Sequence, residues 1–428
     1  YSQEEMDSDR KHGLTMGNNK STIGKEDFIS KSYDKEVRRH WMIPVLTASL
    51  ASMAAVVCIK IGIATQHTIS ALGEIMEKFR VTHDASQTLP SGKSVNTLCD
   101  DDQMEEVKFG LAMKRFLIQL VQQRLAFPSL PILIGKFDLD SAYRRLFVKL
   151  SCALLCTTII GPIAYLLLRL PFRSSPAASE FSLFSEFICD LAQALLLDQS
   201  WDHTSFFPTI TEGVDIADFN FPTSTPALAR PILLSAPLLT AYFECYIDDF
   251  IVLVVYTNME TITRAFLAVP LVLECIFRPV SPDEPGERAT ILQKAKLLAE
   301  GTLRIKQKVL GWLIDTHSLS ILLPEEKRDT ILAMIEKFIK MHEDETIIDF
   351  ENRKDLESLI GKLNNISIMF PNTNTLLNRL RYRHKVSGWP KPKNKEKNIN
   401  KLFDNFDYED LKLWKQITNT MTTIGRHV

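Results

Sequence analysis

Asp248 and Asp249 stand side by side within residues 242–256, YFECYIDDFIVLVVY. Aromatic and β-branched residues flank them on both sides, which is strand composition. Two like charges about 4 Å apart repel by roughly 4 kcal/mol at an effective dielectric of 20. Protonation, bending the pair out into solvent, or a cation would each relieve that. A hairpin with both acids at its bend, beside a divalent metal, satisfies the charges and the apolar flanks together. A solvated turn with two acids accounts for this stretch equally well when it is taken alone.

Other residues add to the pattern. The run ILIGKF, 132–137, delivers Asp138 at the end of an expected strand, with a helix start behind it. Taken singly, Asp138 and Asp140 read as helix N-terminal carboxylates, favourable to the dipole by about 0.3–1 kcal/mol. Residues 62–86 read as two strands joined near Gly73, with Lys78 and Arg80 on the returning one. Gly92-Lys93-Ser94 resembles a phosphate loop, but Gln87 stands where that motif needs glycine, so the motif is rejected. His67 and His83 read as hairpin residues rather than ligands. An acid ending one strand, two acids capping a later hairpin and a basic hairpin before both form the set that polymerase-type phosphoryl transfer needs. Carboxylates then hold two divalent ions ~3.5–4 Å apart, and cations clamp a triphosphate.

The elements that must position these residues belong to a chain of 428 residues, 45% hydrophobic and with net charge −2. Several domains fit that length. No global field attracts a polyanion, so contact with nucleic acid must be local. Residues 379–397 supply one such patch, eight Lys/Arg against Glu396, with Trp389 among them. Seven scattered cysteines without a CxxC pair argue for a reducing compartment, hence an intracellular protein. Residues 1–35 are polar and read as a disordered or linker segment. The apolar run 42–63 is long enough for a membrane helix, but Pro44 and Lys60 favour a buried part of a water-soluble fold, and no membrane partner is expected. Helices are expected over 104–127, ended by Pro128, up to about Leu197, near 261–275, and from Pro324 onward. Residues 200–238 read as an irregular excursion, and VLGWLID, 309–315, as a strand.

Over residues 41–385 the chain resembles a reverse transcriptase of a retroelement. YIDD at 246–249 matches the YxDD box, and KFDLDSAYRRL at 136–146 the first-carboxylate box. LPFRSSPAASEF at 170–181 resembles the LPxG…SP…F box, and VLGWLID the primer-grip hairpin. Arg80 with Asp84 fits the fingers pattern R-x-x-x-D, and SGKSVN at 91–96 the loop that ends in asparagine.

The resemblance implies an α+β, right-hand polymerase fold. Its parts would be a polar segment at 1–40, fingers at 41–100, and a palm of antiparallel sheet plus helices at 101–318. A fingers insertion at 147–173, a helical thumb at 319–385, and a basic linker with a C-terminal helix at 386–428 complete it. The activity implied is RNA-directed DNA polymerisation: two Mg²⁺ ions (or Mn²⁺), dNTPs, and a primer on an RNA or DNA template. Asp138, Asp248 and Asp249 would bind metal, and Lys296 would protonate the leaving pyrophosphate. Lys78, Arg80, Tyr143, Phe172 and Arg173 would meet the nucleotide, with Tyr143 excluding a ribose 2′-hydroxyl. Gly311 and Trp312 would grip the primer. Arg173 departs from the family's glycine, and a catalytically decayed protein that still binds nucleic acid is the alternative it raises.

Overall fold

The computed structural model describes residues 2–53, 55–69, 75–100, 102, 104, 109–172, 174–205, 211–226, 239–278, 283, 287–386, 402–421 and 426–427. The chain divides into two units, Tyr1–Gln307 and Lys308–Val428.

The first unit begins with two helices, α1 (Gln3–Thr15) and α2 (Glu26–Arg38). Strands β1 (Met42–Leu46), β2 (Lys60–Ile69) and β3 (Ile75–Asp84) follow, then α3 (Ala112–Ala126) and β4 (Ile132–Asp138). Next come α4 (Leu150–Leu155), β5 (Thr158–Ile160), β6 (Ile163–Leu167) and the long α5 (Ala177–Leu197). The hairpin β7 (Ala241–Tyr246) and β8 (Asp249–Val255), α6 (Met259–Phe277) and α7 (Lys294–Glu300) close the unit.

Its central sheet is antiparallel, in the order β4-β8-β7. Every side chain of β8 from Phe250 to Val255 is buried, as an unbroken β-branched and aromatic run demands when both faces are covered. On one face Leu133, Phe137, Phe250, Val252 and Val254 join Phe181, Ile188 and Ala192 of α5 and the apolar face of α6. Phe137 meets Phe266 edge to face, centroids 5.6 Å apart. Beyond β4, residues 301–304 run alongside, with Ile134 and Arg304 exchanging backbone hydrogen bonds of 2.7 and 2.9 Å. Gly135 permits that approach, since a Cβ there would come 2.7 Å from Leu303 Cδ2 and 3.2 Å from the Gly301 carbonyl.

A second sheet, β1-β6-β5, and the hairpin β2-β3 lie in the same unit. The pairing of β2 with β3 agrees with the two strands expected over 62–86, although Gly73 falls outside the described residues. The apolar run 42–63 is β1, a 3-10 turn at Thr47–Ser52 and the start of β2. No helix among the described residues is long and apolar enough to cross a membrane.

The polar N-terminus is corrected by the structure: it is helical, not disordered. Ser2 and Glu5 form a capping box on α1, and Ile29 and Tyr33 of α2 are buried with Met42, Ile59 and Leu167. Tyr33 Oη lies 3.1 Å from Thr158 Oγ1. Two apolar anchors on one helical face suffice to dock a segment whose average composition is polar. Lys93 pairs with Glu5 at 3.0 Å, and the buried Asp9 accepts from Ser91 Oγ at 2.6 Å, so α1 ties down the loop that resembled a phosphate site.

The division falls within β9 (Lys306–Val309), and the second unit carries β10 (Trp312–Asp315), β11 (Ser320–Leu322), α8 (Glu325–Glu343), α9 (Phe350–Met369), α10 (Leu377–Val386), α11 (Asn405–Thr420) and β12 (Arg426–His427). Its sheet runs β12-β11-β10-β9, and α11 packs on α8 with Trp414 fully buried. Residues 309–315 are the last residue of β9, a turn and β10, which replaces the single strand read from composition with a hairpin. Leu310 (φ 46°) and Gly311 (φ 83°) both adopt positive φ, as the primed turns of two-residue hairpins require. Part of the basic patch is spent internally: Arg383 meets Asp407 at 2.6 Å and Asp404 at 2.8 Å, and Arg379 meets Asp410 at 3.2 Å. Trp389 and Glu396 lie outside the described residues.

Candidate active site

Asp138 closes β4 and Asp249 opens β8, and the two are direct register partners. The Leu139 N–H donates to the Asp248 carbonyl at 3.2 Å, which keeps the end of β4 against the β7–β8 turn. Register pairing of Tyr246 with Asp249 leaves Ile247 and Asp248 as the whole turn. Ile247 takes φ 56°, an unfavourable angle for a β-branched residue that costs on the order of 1–3 kcal/mol. Ser185 of α5, fully buried, donates its hydroxyl to the Ile247 carbonyl and braces the turn from below.

The three acids share few counter-charges. Lys296 Nζ donates to Asp138 Oδ1 at 2.6 Å, and the Asp138 and Asp249 carboxyls lie near enough for each to act on the other's protonation. Burial, opposed by Lys296 and reinforced by Asp249, pushes the Asp138 carboxyl up to about 6. Burial likewise raises Asp248, with the charge of Asp138 adding to it. Asp249 is raised by burial too, partly offset by Lys136. Burial works against the charge of Lys296, but Asp138 and its two neighbours outweigh it and hold the ammonium above its ordinary range.

Around this centre, Tyr143 lies with its ring centroid 6.1 Å from Phe172 and 5.9 Å from Phe181. Burial, with Asp248 and Tyr246 nearby, pushes its hydroxyl up to about 12. Arg80 of β3 sits over the Phe172 ring at 5.1 Å, and its charge lowers the pKa values of Tyr143 and Asp248. Lys78, two residues earlier on β3, lies 3.2 Å from the Gln293 amide, whose oxygen faces it in the orientation that gives both ends of the amide a partner. Asn96 accepts from the Ser175 N–H at 2.8 Å and so anchors the loop that follows Phe172. Arg173 lies outside the described residues. Asp140 hydrogen-bonds its own neighbour Ser141 at 3.3 Å, and His83 is buried, its pKa lowered to about 4 by desolvation.

Gly311 and Trp312 belong to the second unit. A side chain on Gly311 would run into the Lys327 ammonium, and the Trp312 ring is buried, 6.4 Å from that of Phe370. The Trp312 ring packs within the unit, and Gly311 forms the turn before it.

Two participants carried no sequence signal. Ser185 is one small polar residue on an apolar helix, and Gln293 follows an apolar pair in a loop. The amide of Gln293 donates to Asp138 Oδ2 at 3.1 Å, and its backbone N–H to the Asp138 carbonyl at 2.9 Å.

Among the described residues, no three His, Cys, Asp or Glu side chains converge closely enough to enclose a metal ion. The donor set is nonetheless of one chemical kind, the carboxylate oxygens of Asp138, Asp248 and Asp249, which hard cations such as Mg²⁺ or Mn²⁺ prefer.

No protein-family model matches the chain, and no curated protein matches it. Solved structures do. A foamy viral protease-reverse transcriptase (dRH) in complex with double-stranded DNA superposes with a TM-score of 0.50 at 13% identity, over 93% of this chain and 48% of that one. The foamy viral protease-reverse transcriptase in complex with RNA/DNA hybrid superposes with a TM-score of 0.51 at 12% identity, over 96% of this chain and 38% of that one. The chain therefore spans less than half the length of either, and at these identities the likeness is one of fold: a mixed helix-and-sheet, reverse-transcriptase-like fold.

Proposed function

We propose that this chain is an RNA-directed DNA polymerase of a retrotransposon-like element, adding deoxynucleotides to a primer 3′-end on an RNA or DNA template. The observation that carries the reading is the register pairing of Asp138 with Asp249, beside Asp248 and with Lys296 on Asp138. The fold likeness to reverse transcriptases captured with nucleic acid supports it. Fingers, palm and thumb would occupy the ranges that the motifs imply, with the β4-β8-β7 sheet as palm.

Asp138 and Asp248 would hold two Mg²⁺ ions, Asp249 in support; bound there, the ions supply Lewis-acid activation of the 3′-hydroxyl and neutralise the pyrophosphate. Lys296 stays protonated because three acids surround it, and that proton goes to the leaving pyrophosphate oxygen. Arg80 and Lys78 clamp the triphosphate. Tyr143, wedged between Phe172 and Phe181, stands against the sugar and rejects a 2′-hydroxyl.

Primer extension on a primed RNA template with dNTPs and Mg²⁺ or Mn²⁺ tests this. The native chain is expected to extend, and Asp248→Asn to lose about a thousandfold or more, with circular dichroism unchanged. Extension by Asp248→Asn at the native rate sinks the mechanism. A second reading rests on Arg173, which stands in the box whose glycine lets backbone approach a nucleotide. Under it the native chain binds primed template without turnover, and Arg173→Gly restores extension.

A further inference from the structure

We infer that Gln293 is a positioning residue that straps the cation site shut until a nucleotide arrives; this rests on the polymerase reading above. Residues 291–293 form a short antiparallel bridge with 138–140: Leu139 pairs with Leu292, and Asp140 N–H donates to the Ile291 carbonyl at 2.9 Å. The Gln293 N–H returns a bond to the Asp138 carbonyl at 2.9 Å, so its side chain is fixed directly beside that acid. In the amide orientation that satisfies both of its ends, the nitrogen donates to Asp138 Oδ2 at 3.1 Å, and Lys296, three residues on, donates to Oδ1 at 2.6 Å. Both oxygens of one carboxylate are thereby engaged by a single short segment of the chain.

The other end of the same amide accepts from Lys78 Nζ at 3.2 Å. Lys78 belongs to β3, two residues before Arg80, so one side chain connects the cationic hairpin to the acid end of the central sheet. A phosphate oxygen is a far stronger partner for an ammonium than a neutral amide oxygen is. When a triphosphate takes Lys78, the Gln293 carbonyl loses its partner, its amide is free to rotate, and Asp138 Oδ2 is released to accept a cation. Nucleotide binding and cation binding are then coupled through Gln293, and by linkage each favours the other by the same factor.

Gln293→Met keeps the length of the side chain and the backbone bridge but removes both hydrogen bonds. Mn²⁺ binding to the full chain without nucleotide, followed by electron paramagnetic resonance of the free ion, should tighten roughly five- to tenfold in this variant. Lys78→Met should tighten it as well, and the double variant should gain no more than Gln293→Met alone, because both act through one strap. Gln293→Met with native Mn²⁺ affinity, or effects that add in the double variant, overturns the strap. Asp248→Asn separates the two levels of the argument. Mn²⁺ binding that Asp248→Asn abolishes and Gln293→Met leaves unchanged sinks the strap alone. No Mn²⁺ binding by either the native chain or Gln293→Met sinks the polymerase reading with it.

Discussion

The hairpin β7–β8 handles buried acid in two opposite ways within a few residues. Glu244, 2% exposed, is fully answered: Arg115 reaches it with two nitrogens, one at 2.8 Å, Tyr242 Oη donates at 2.9 Å, and the Cys245 N–H at 3.0 Å. Asp248 and Asp249, at the tip, share with Asp138 one close lysine and one amide, and all three carboxyls are pushed up. The first arrangement is a finished structural ion pair, braced again by Glu186 on Arg115 at 3.0 Å. In the second, burial is the chief cause of the upward shifts, and the nearby cations offset it only in part. Acids that burial raises and that no full set of partners answers favour protons or a bound cation, and that imbalance marks the site.

Four measurements break or sharpen this contrast. Arg115→Met should have the largest effect, about 3–5 kcal/mol lost in denaturant unfolding, because it strands a buried carboxylate; Arg115→Met with Glu244→Met should recover most of it. Lys296→Met should leave the melting temperature nearly unchanged, since the acids can take up protons instead. It should slow primer extension about a hundredfold and remove the alkaline limb of the pH profile. Asp248→Asn should stabilise the cation-free protein by about 1 kcal/mol, the opposite sign to Arg115→Met, because a site built for a ligand is strained without it.

The smallest effect is on pH. The fold holds Asp138 at about 6 against 3.8 for an unperturbed carboxyl, so it favours the protonated form. That contribution is complete below pH 3.8 and is lost as pH rises through about 6. In chelator, the melting temperature of the native chain relative to Asp138→Asn should therefore fall across that window, and added Mg²⁺ should reverse the fall above it.

The central sheet was legible in the sequence because β4 and β8 are apolar runs that end or begin in acid, a pattern with few other solutions. The pairing of β2 with β3 was legible for its regular strand composition. What the sequence concealed follows from averages and from distance. Composition over residues 1–35 hid Ile29 and Tyr33, and the hydrophobic total of 42–63 hid two strands separated by a turn. Composition alone hid the turn at Leu310 and Gly311, because leucine gives no warning of positive φ. Of the candidate site, the acids, Lys296, Arg80, Tyr143 and Phe172 gather in the first unit; Ser185 and Gln293 were invisible because a lone polar residue has no periodicity to betray it.

The bridge between 138–140 and 291–293 has a further consequence, for how the protein comes into being. Lys296 and Asp138 are 158 residues apart in the chain, and no local contact substitutes for their meeting. Closing so long a loop is slow and comes late, after the intervening helices have formed. Synthesis must pass residue 296 before the acids acquire their lysine. Until then the carboxyl of Asp138 lacks the ammonium that pairs with it in the folded chain.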